Sequence, residues 1–539
     1  MKSAITISAF LSVLAEPVVN AQSGNLNFVA NTLGSNMVLQ RDVPASIYGY
    51  SAVGSSVVTV TFNGNSFDTI ASDVLSNTGG YNWKVDLPPT AGGFDQHYLK
   101  ISSSAGETAL LTNVVFGDVF LCGGQSNMQF SVPGEFNADE EITAADNYPN
   151  IRLFSVNPQY DIPPPTEPWD DLQAFSLPWS VASSTTVTNP ENDWSYLFSA
   201  VCWEFGKNTF DISLDGKVPV GLVSSNWGGT FIEAWMPPSA LAACGVSSSG
   251  TDRAHRVNSD TPRGKNSSLF TPAINTTGNI DPDVSSSLYN SMIYPFRSMK
   301  LAGAIWYQGE SNVANAAGYP CLQNQMVLSW RVTMGTDFGF LYTQISTWDN
   351  GGGSMLADMR NSQFSILALG TPDVGMITAA DLGDPTSPYD PIHPRNKMEV
   401  GRRMALAGSS VFYGAQGVPF TGPMVESYET FVHPEMGKSV RLTFTQSTCG
   451  DGCKIMPAQD CADVSKEKKQ GCGEILLNTN RRAVLTIATM ESANVVIFTP
   501  VEPLFGDISS LSYCQGDYPL MTVYNSLDVP LVPIVVGFE

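Results

Sequence analysis

Between residues 22 and 112, apolar and polar side chains alternate in short runs such as Val57-Val58-Thr59-Val60-Thr61-Phe62, and turn residues such as Asn63-Gly64-Asn65 separate them. A two-residue period puts one set of side chains on each face of a strand, so this stretch predicts an all-β, sandwich-like module. From 113 to 408 the pattern changes. Compact apolar runs at Val119–Cys122, Val218–Ser224, Ala302–Tyr307, Phe338–Gln344 and Val374–Thr378 alternate with helical stretches. Strands buried on both faces need such uninterrupted runs, and their alternation with helices predicts a parallel α/β sheet. Alternation returns from 409 to 539, as in Val440–Phe444, Ala483–Ile487 and Asn494–Phe498, and predicts a C-terminal β domain. The Pro-, Ser- and Thr-rich segment from Pro158 to Asn192 is expected to be a long surface excursion beside the cleft.

Length and composition fit this division. A chain of 539 residues exceeds what one core accommodates. Its 27 Lys and Arg against 50 Asp and Glu give a net charge of −23, which argues against nucleic acid or anionic membrane as a partner. Residues 1–21 have the layout of a secretory signal: Lys2, an apolar run from Ile5 to Leu14, and Ala21 before Gln22. No later run is long and apolar enough to span a bilayer, so no membrane span is expected and the mature protein should be secreted or lumenal.

The nine cysteines suit an oxidising compartment. Cys449, Cys453, Cys461 and Cys472 are expected to form two local disulfides, because their C-x3-C-x7-C-x10-C spacing lacks the paired hooks of a zinc site. Cys122, in a buried strand, is the candidate free thiol. Asn266 and Asn275 head glycosylation sequons.

The chemistry concentrates in a few segments. Gly117 to Met128 reads GDVFLCGGQSNM: a buried strand, two glycines and then Ser126 entering a helix. In open α/β sheets that position faces the ligand crevice, and the free N–H groups there favour an oxyanion. The bland alternative is a turn with an N-capping serine. Far downstream, Asp390-Pro391-Ile392-His393-Pro394 offers a base and an orienting acid from one stiff loop. Of the four histidines, His97, His255, His393 and His433, only His393 has an acid at this spacing in a Pro-bounded turn. Asp381 and Asp384, in DLGDP, lie nearby without that short reach. Ser126 is thus the candidate nucleophile, His393 the base and Asp390 the orienter. Asp390 should raise the histidine above its free value of ~6.5, so that the rate climbs between roughly pH 6 and 8.

Gly-Gln-Ser-Asn at 124–127 and the closing Asp390-x-x-His393 resemble the SGNH hydrolase superfamily. More narrowly, NMVLQRDVPASIYGY (36–50), NWGGTFIEAW (226–235), SLYNSMIYPF (287–296), GAIWYQGESN (303–312), HPRNKMEVGRRMAL (393–406) and DYPLMTVYNSLDVPLVP (517–533) resemble the sialate O-acetylesterase family. The resemblance implies a flavodoxin-like parallel sheet with helices on both faces (113–408), flanked by β-sandwich-like domains at 22–112 and 409–539. It implies a serine esterase acting on O-acetylated sialic acid, with no metal or organic cofactor. A general or acetylxylan-type carbohydrate acetylesterase is the alternative, and a catalytically silent carbohydrate-binding protein is the reading from another class. By resemblance, the oxyanion hole joins the Ser126 N–H to Gly228 or Gly229 and to a side-chain amide, Gln308 or, failing it, Asn312. Trp227, Trp235 and Trp306 flank these motifs and read first as core, with sugar stacking as the alternative. Arg395 and Lys397 could meet a substrate carboxylate, but read first as solvated helix residues.

Overall fold

The computed structural model describes residues 27–76, 79–158, 165–188, 197–246, 284–348, 354–416, 421–457 and 472–538. The expected signal segment and both sequons lie outside them. A 17-residue strand, Thr108–Gly124 (β1), runs through two layers of the molecule. Its first half pairs antiparallel with Gly93–Ser103, which pairs with Val57–Phe62, itself in a hairpin with Asn65–Ile70. Ala45–Ser51 and Tyr81–Leu87 form a separate two-stranded sheet.

The second half of β1 is the middle of a larger sheet. Its other strands are Ile151–Val156 (β2), Phe175–Val181 (β3), Val220–Asn226 (β4), Gly303–Tyr307 (β5), Gly339–Gln344 (β6) and Val374–Thr378 (β7). The order is β7-β6-β5-β1-β4-β2-β3, with every pair parallel except β2 and β3. The chain leaves β1 for β2, returns to β4 beside β1, and then crosses to β5 on the other side. The order therefore reverses around β1, and a crevice opens at its carboxyl end.

The apolar runs divide by parity. Phe120 and Cys122 of β1 enter one core with Leu222, Ile305, Tyr307 and Leu341, whereas Val119 and Leu121 enter the other with Val223, Ala304 and Trp306. Both faces are buried, which is why these strands carry no polar alternation. Helices Ala200–Asn208 (α2) and Lys397–Val411 (α5) pack together over the first face. Helix Tyr319–Met334 (α3) brings Trp330 edge-on to Trp306 on the second face, with Trp235 against Trp306 in turn. A short helix, Ser126–Gln129 (α1), follows β1, and Met355–Ser365 (α4) precedes β7. Seven antiparallel strands between Val425 and Gly537 form the C-terminal sheet.

Two expectations are corrected. The segment from Pro158 to Asn192 is not a plain excursion: it supplies edge strand β3 and the helix Ser184–Thr188, while residues 159–164 and 189–192 lie outside the described residues. Cys122 is not free. Its face of β1 meets α2, and it is bonded to Cys202 there. Cys244–Cys321 is a further disulfide, and Cys449–Cys453 is one bridge within the expected C-terminal cluster. Cys461 and the side chain of Cys472 lie outside the described residues. Among the described residues the free thiol is Cys514, which is buried and whose ionisation burial suppresses.

Peptide mapping of unreduced protein should recover the 122–202, 244–321 and 449–453 links, and Cys514 should resist alkylation until the chain is denatured. Native labelling of Cys122 or Cys514 would contradict this arrangement.

Candidate active site

Three motifs meet where β1 ends. The Gln125 N–H donates to the Tyr307 carbonyl at 3.1 Å, and the Trp227 N–H donates to the Gly124 carbonyl at 3.0 Å. Gly124 has φ +146°, and a Cβ there would lie 2.2 Å from the Tyr307 oxygen, so only glycine fits. Ser126 follows as the first residue of α1, so its N–H lies outside the helix's own ladder. The NWGGT turn, leaving β4, packs on the serine: a Cβ on Gly228 would sit 3.2 Å from that of Ser126.

The loop after β7 brings in the candidate base, His393. Asn127 donates through Nδ2 to the Ile392 carbonyl at 3.0 Å, and the Phe130 and Tyr389 rings meet edge to face at 5.2 Å. His393 is buried at 7% exposure. Its Nδ1 lies 2.7 Å from the Tyr389 carbonyl. A carbonyl only accepts, so Nδ1 carries the proton and Nε2 keeps its lone pair, the tautomer a base needs. The expected partner of Nδ1 was the Asp390 carboxylate. Instead Asp390 is exposed at φ +77°, with Oδ1 accepting from the Ile392 N–H at 3.4 Å, while its own carbonyl accepts the His393 N–H at 2.8 Å. Asp390 still acts through its charge, which favours the imidazolium.

Burial outweighs that charge. It pushes His393 down to about 4, against the Tyr389 carbonyl and Asp390, and with the help of the Lys397 ammonium. The expected upward shift is thus reversed. Asp381 and Asp384 are both committed to arginines, Asp381 to Arg403 and Asp384 to Arg395.

The oxyanion candidates separate. The Gly228 N–H donates to Gln129 Oε1 at 2.8 Å, whereas Gly229 is exposed at φ +77° with open space where a Cβ would be. Gln308 is wholly buried: Nε2 donates to the Thr230 carbonyl at 3.2 Å and to Asn312 Oδ1 at 2.7 Å, and Oε1 accepts from the Tyr319 hydroxyl at 2.7 Å. Asn312 joins the same network, accepting from the Ile232 N–H and donating to Glu233. As placed, both amides brace the NWGGTFIEAW segment. Trp227, Trp235 and Trp306 are core residues. Arg395 pairs with Asp384 and lies 4.5 Å over the Phe136 ring. Lys397 is fully buried, not solvated, and donates to Asn127 Oδ1 at 2.6 Å. Gln129, Asn127, Glu310 and the Tyr389 carbonyl are site components that motif reading passed over, although Asn127 and Glu310 stood inside the quoted motifs.

Residues 116–409 match a family described as carbohydrate esterase, sialic acid-specific acetylesterase. The mouse sialate O-acetylesterase is 32% identical over 479 residues, covering 81% of this chain and 85% of that protein. The chain belongs to the sialate O-acetylesterase family. It is an esterase. The human member is 32% identical over 460 residues, covering 80% of this chain and 82% of that protein. Among solved structures, a carbohydrate acetylesterase from Xanthomonas citri matches with TM-score 0.72 and 25% identity, covering 96% of this chain and all of that one. The family's flavodoxin-like α/β sheet and flanking β-structure are thus present here. Among the described residues no helix is long and apolar enough to cross a membrane, and the disulfides are consistent with a secreted or lumenal protein.

The pH profile follows from the buried imidazole. A base works when deprotonated, and a group held at about 4 is deprotonated throughout the neutral range. We expect kcat/KM to be flat from about pH 5 upward into the neutral range and to fall only below it. A limb centred near ~6.5, the free histidine value, would show that burial does not govern this group.

Proposed function

We propose that the chain hydrolyses O-acetyl esters of sialic acids through an acetyl-enzyme. Ser126 Oγ attacks the acetyl carbonyl while His393 Nε2 takes its proton. The tetrahedral intermediate collapses, the sugar oxygen leaves with the proton from Nε2, and Ser126 holds the acetyl group. Water, deprotonated by His393, then attacks the acetyl ester, and acetate leaves as the serine regains its proton. Tyr389 fixes the imidazole tautomer, and Asp390 favours the transient imidazolium across space.

The observation that carries this reading is the serine at the sheet's reversal point with the histidine loop docked on its helix, in a chain about a third identical to sialate O-acetylesterases over four fifths of its length. We assign the oxyanion donors to the N–H groups of Ser126 and Gly229, because the N–H of Gly228 is held by Gln129. Gln308 sets this turn through Thr230 and is the candidate third donor. Export from the cytosol is part of the proposal, supported by the disulfides.

A general carbohydrate acetylesterase is the second reading, favoured by the end-to-end likeness to the Xanthomonas citri enzyme. Acetate release from acetylated sialic acid, acetylated xylan and an aryl acetate separates the two: preference for xylan would overturn the sialate assignment. Neither Arg395 nor Lys397 is at hand for a sialate carboxylate, since Asp384 and Asn127 hold them.

Ser126→Ala should abolish turnover, by on the order of 10⁶-fold, with the melting temperature unchanged. Retention of a few per cent of activity would remove Ser126 from its role. Gln308→Ala distinguishes donor from brace. Direct donation predicts a fall in kcat of roughly 10²–10³ at unchanged stability. Bracing predicts a lowered melting temperature, because three buried polar partners lose their contacts.

A further inference from the structure

Beneath Ser126 lies a chain of buried polar groups that the esterase chemistry does not use directly. Lys397 Nζ donates to Asn127 Oδ1 at 2.6 Å, and Asn127 Nδ2 donates to Glu310 Oε1 at 2.6 Å and to the Ile392 carbonyl at 3.0 Å. Lys397 and Asn127 have no exposure, and Glu310 is 5% exposed. An ammonium only donates and a backbone carbonyl only accepts, so the amide between Lys397 and Ile392 has one orientation: oxygen to Lys397, nitrogen to Ile392 and Glu310. Asn127 follows Ser126, and Ile392 precedes His393. One side-chain amide thus ties the turn of the nucleophile to the loop of the base.

A buried ion pair adds little to stability over apolar residues of similar volume. What this arrangement supplies is direction. The Lys397 Nζ also stands over the Phe130 ring at 4.9 Å and the Tyr307 ring at 5.5 Å, residues of the two segments flanking Ser126. We propose that Lys397 is a positioning residue of the esterase, which through Asn127 holds the His393 loop in register with Ser126. This rests on reading Ser126 as nucleophile and His393 as base.

The charged neighbours give a signature that packing alone would not. Lys397 faces Glu310 from the segment after β5, Glu135 from the turn after α1, and Asp384 from the loop after β7; burial brings it down to about 7 against all three. His393 faces the Tyr389 carbonyl, Lys397 and Asp390, and of these Lys397 disfavours the imidazolium. Removing the ammonium should therefore make His393 more basic.

The test uses the full chain, an aryl acetate as substrate, and the variants Lys397→Met, Lys397→Arg, Asn127→Ala and the Met/Ala double. Misalignment on the scale of an ångström predicts a kcat lower by about 10²-fold for Lys397→Met and for Asn127→Ala, with little change in KM. The double variant should be no worse than either single, since both break one chain. The acid limb of kcat/KM should move to higher pH in Lys397→Met and stay in place in Lys397→Arg. Full kcat in Lys397→Met, additive losses, or a loss of kcat with an unmoved limb would each overturn the proposal. If Lys397→Met does not fold, Asn127→Ala carries the test: a folded variant with full kcat overturns it, and one with the predicted loss supports it. An active Ser126→Ala would overturn the underlying reading of the site, whereas an inactive Ser126→Ala beside a fully active Lys397→Met overturns this inference alone.

Discussion

The site depends on the close approach of three backbones at Gly124. The residue lies between β4 and β5, its carbonyl takes the Trp227 N–H, the next N–H goes to Tyr307, and a Cβ would strike the Tyr307 oxygen. The position of the serine follows from that packing. It aims the chain out of the sheet at the reversal of strand order, frees the Ser126 N–H from the ladder, and places the NWGGT turn against the serine's own Cβ. Buried backbone groups must be paired, so the three segments cannot move independently without leaving donors or acceptors stranded.

Around this crossing, burial sets the electrostatics. His393 is neutral because it is desolvated, and it is oriented by a main-chain oxygen whose position is set by the Tyr389–His393 turn. A carbonyl fixes a tautomer as well as a carboxylate does, but contributes no full charge to the imidazolium. The carboxylate of Asp390 supplies part of that from the surface. Glu135 shows the same effect: burial first, and the neighbouring Glu204 and Glu141 next, push its carboxyl well above the usual carboxylate range. The neighbourhood of the serine is thus built from groups whose charge states are set by the fold.

Much of this was legible in the sequence. The runs at Val57–Phe62, Ala302–Tyr307, Phe338–Gln344 and Val374–Thr378 lie on observed strands to within two residues, because a strand's existence is written in local period. Pairing is not local. Nothing between Pro158 and Asn192 announces edge strand β3, whose partner β2 precedes it across a polar stretch, and nothing in Cys122 itself points to Cys202, which only α2 brings near. The Ser126 and His393 segments stand out in the sequence by residue type, and the structure brings the two together. The Tyr389 carbonyl was not, since every residue has one. Lys397 misled because lysine is ordinarily solvated; its burial follows from a helix that starts under the active site and not at the surface.

The continuity of β1 has a mechanical consequence. A strand of 17 residues spans at most roughly 55 Å, and it is stitched on one stretch to the N-terminal sheet and on the next to β4 and β5. The N-terminal module is therefore joined to the larger sheet by a shared strand and not by a loop, with one left-handed residue, Asn113 at φ +54°, within it. Whatever its outer surface meets is tied to Ser126 by one continuous stretch of backbone, and cutting the module away would remove the first part of the strand that ends at that serine.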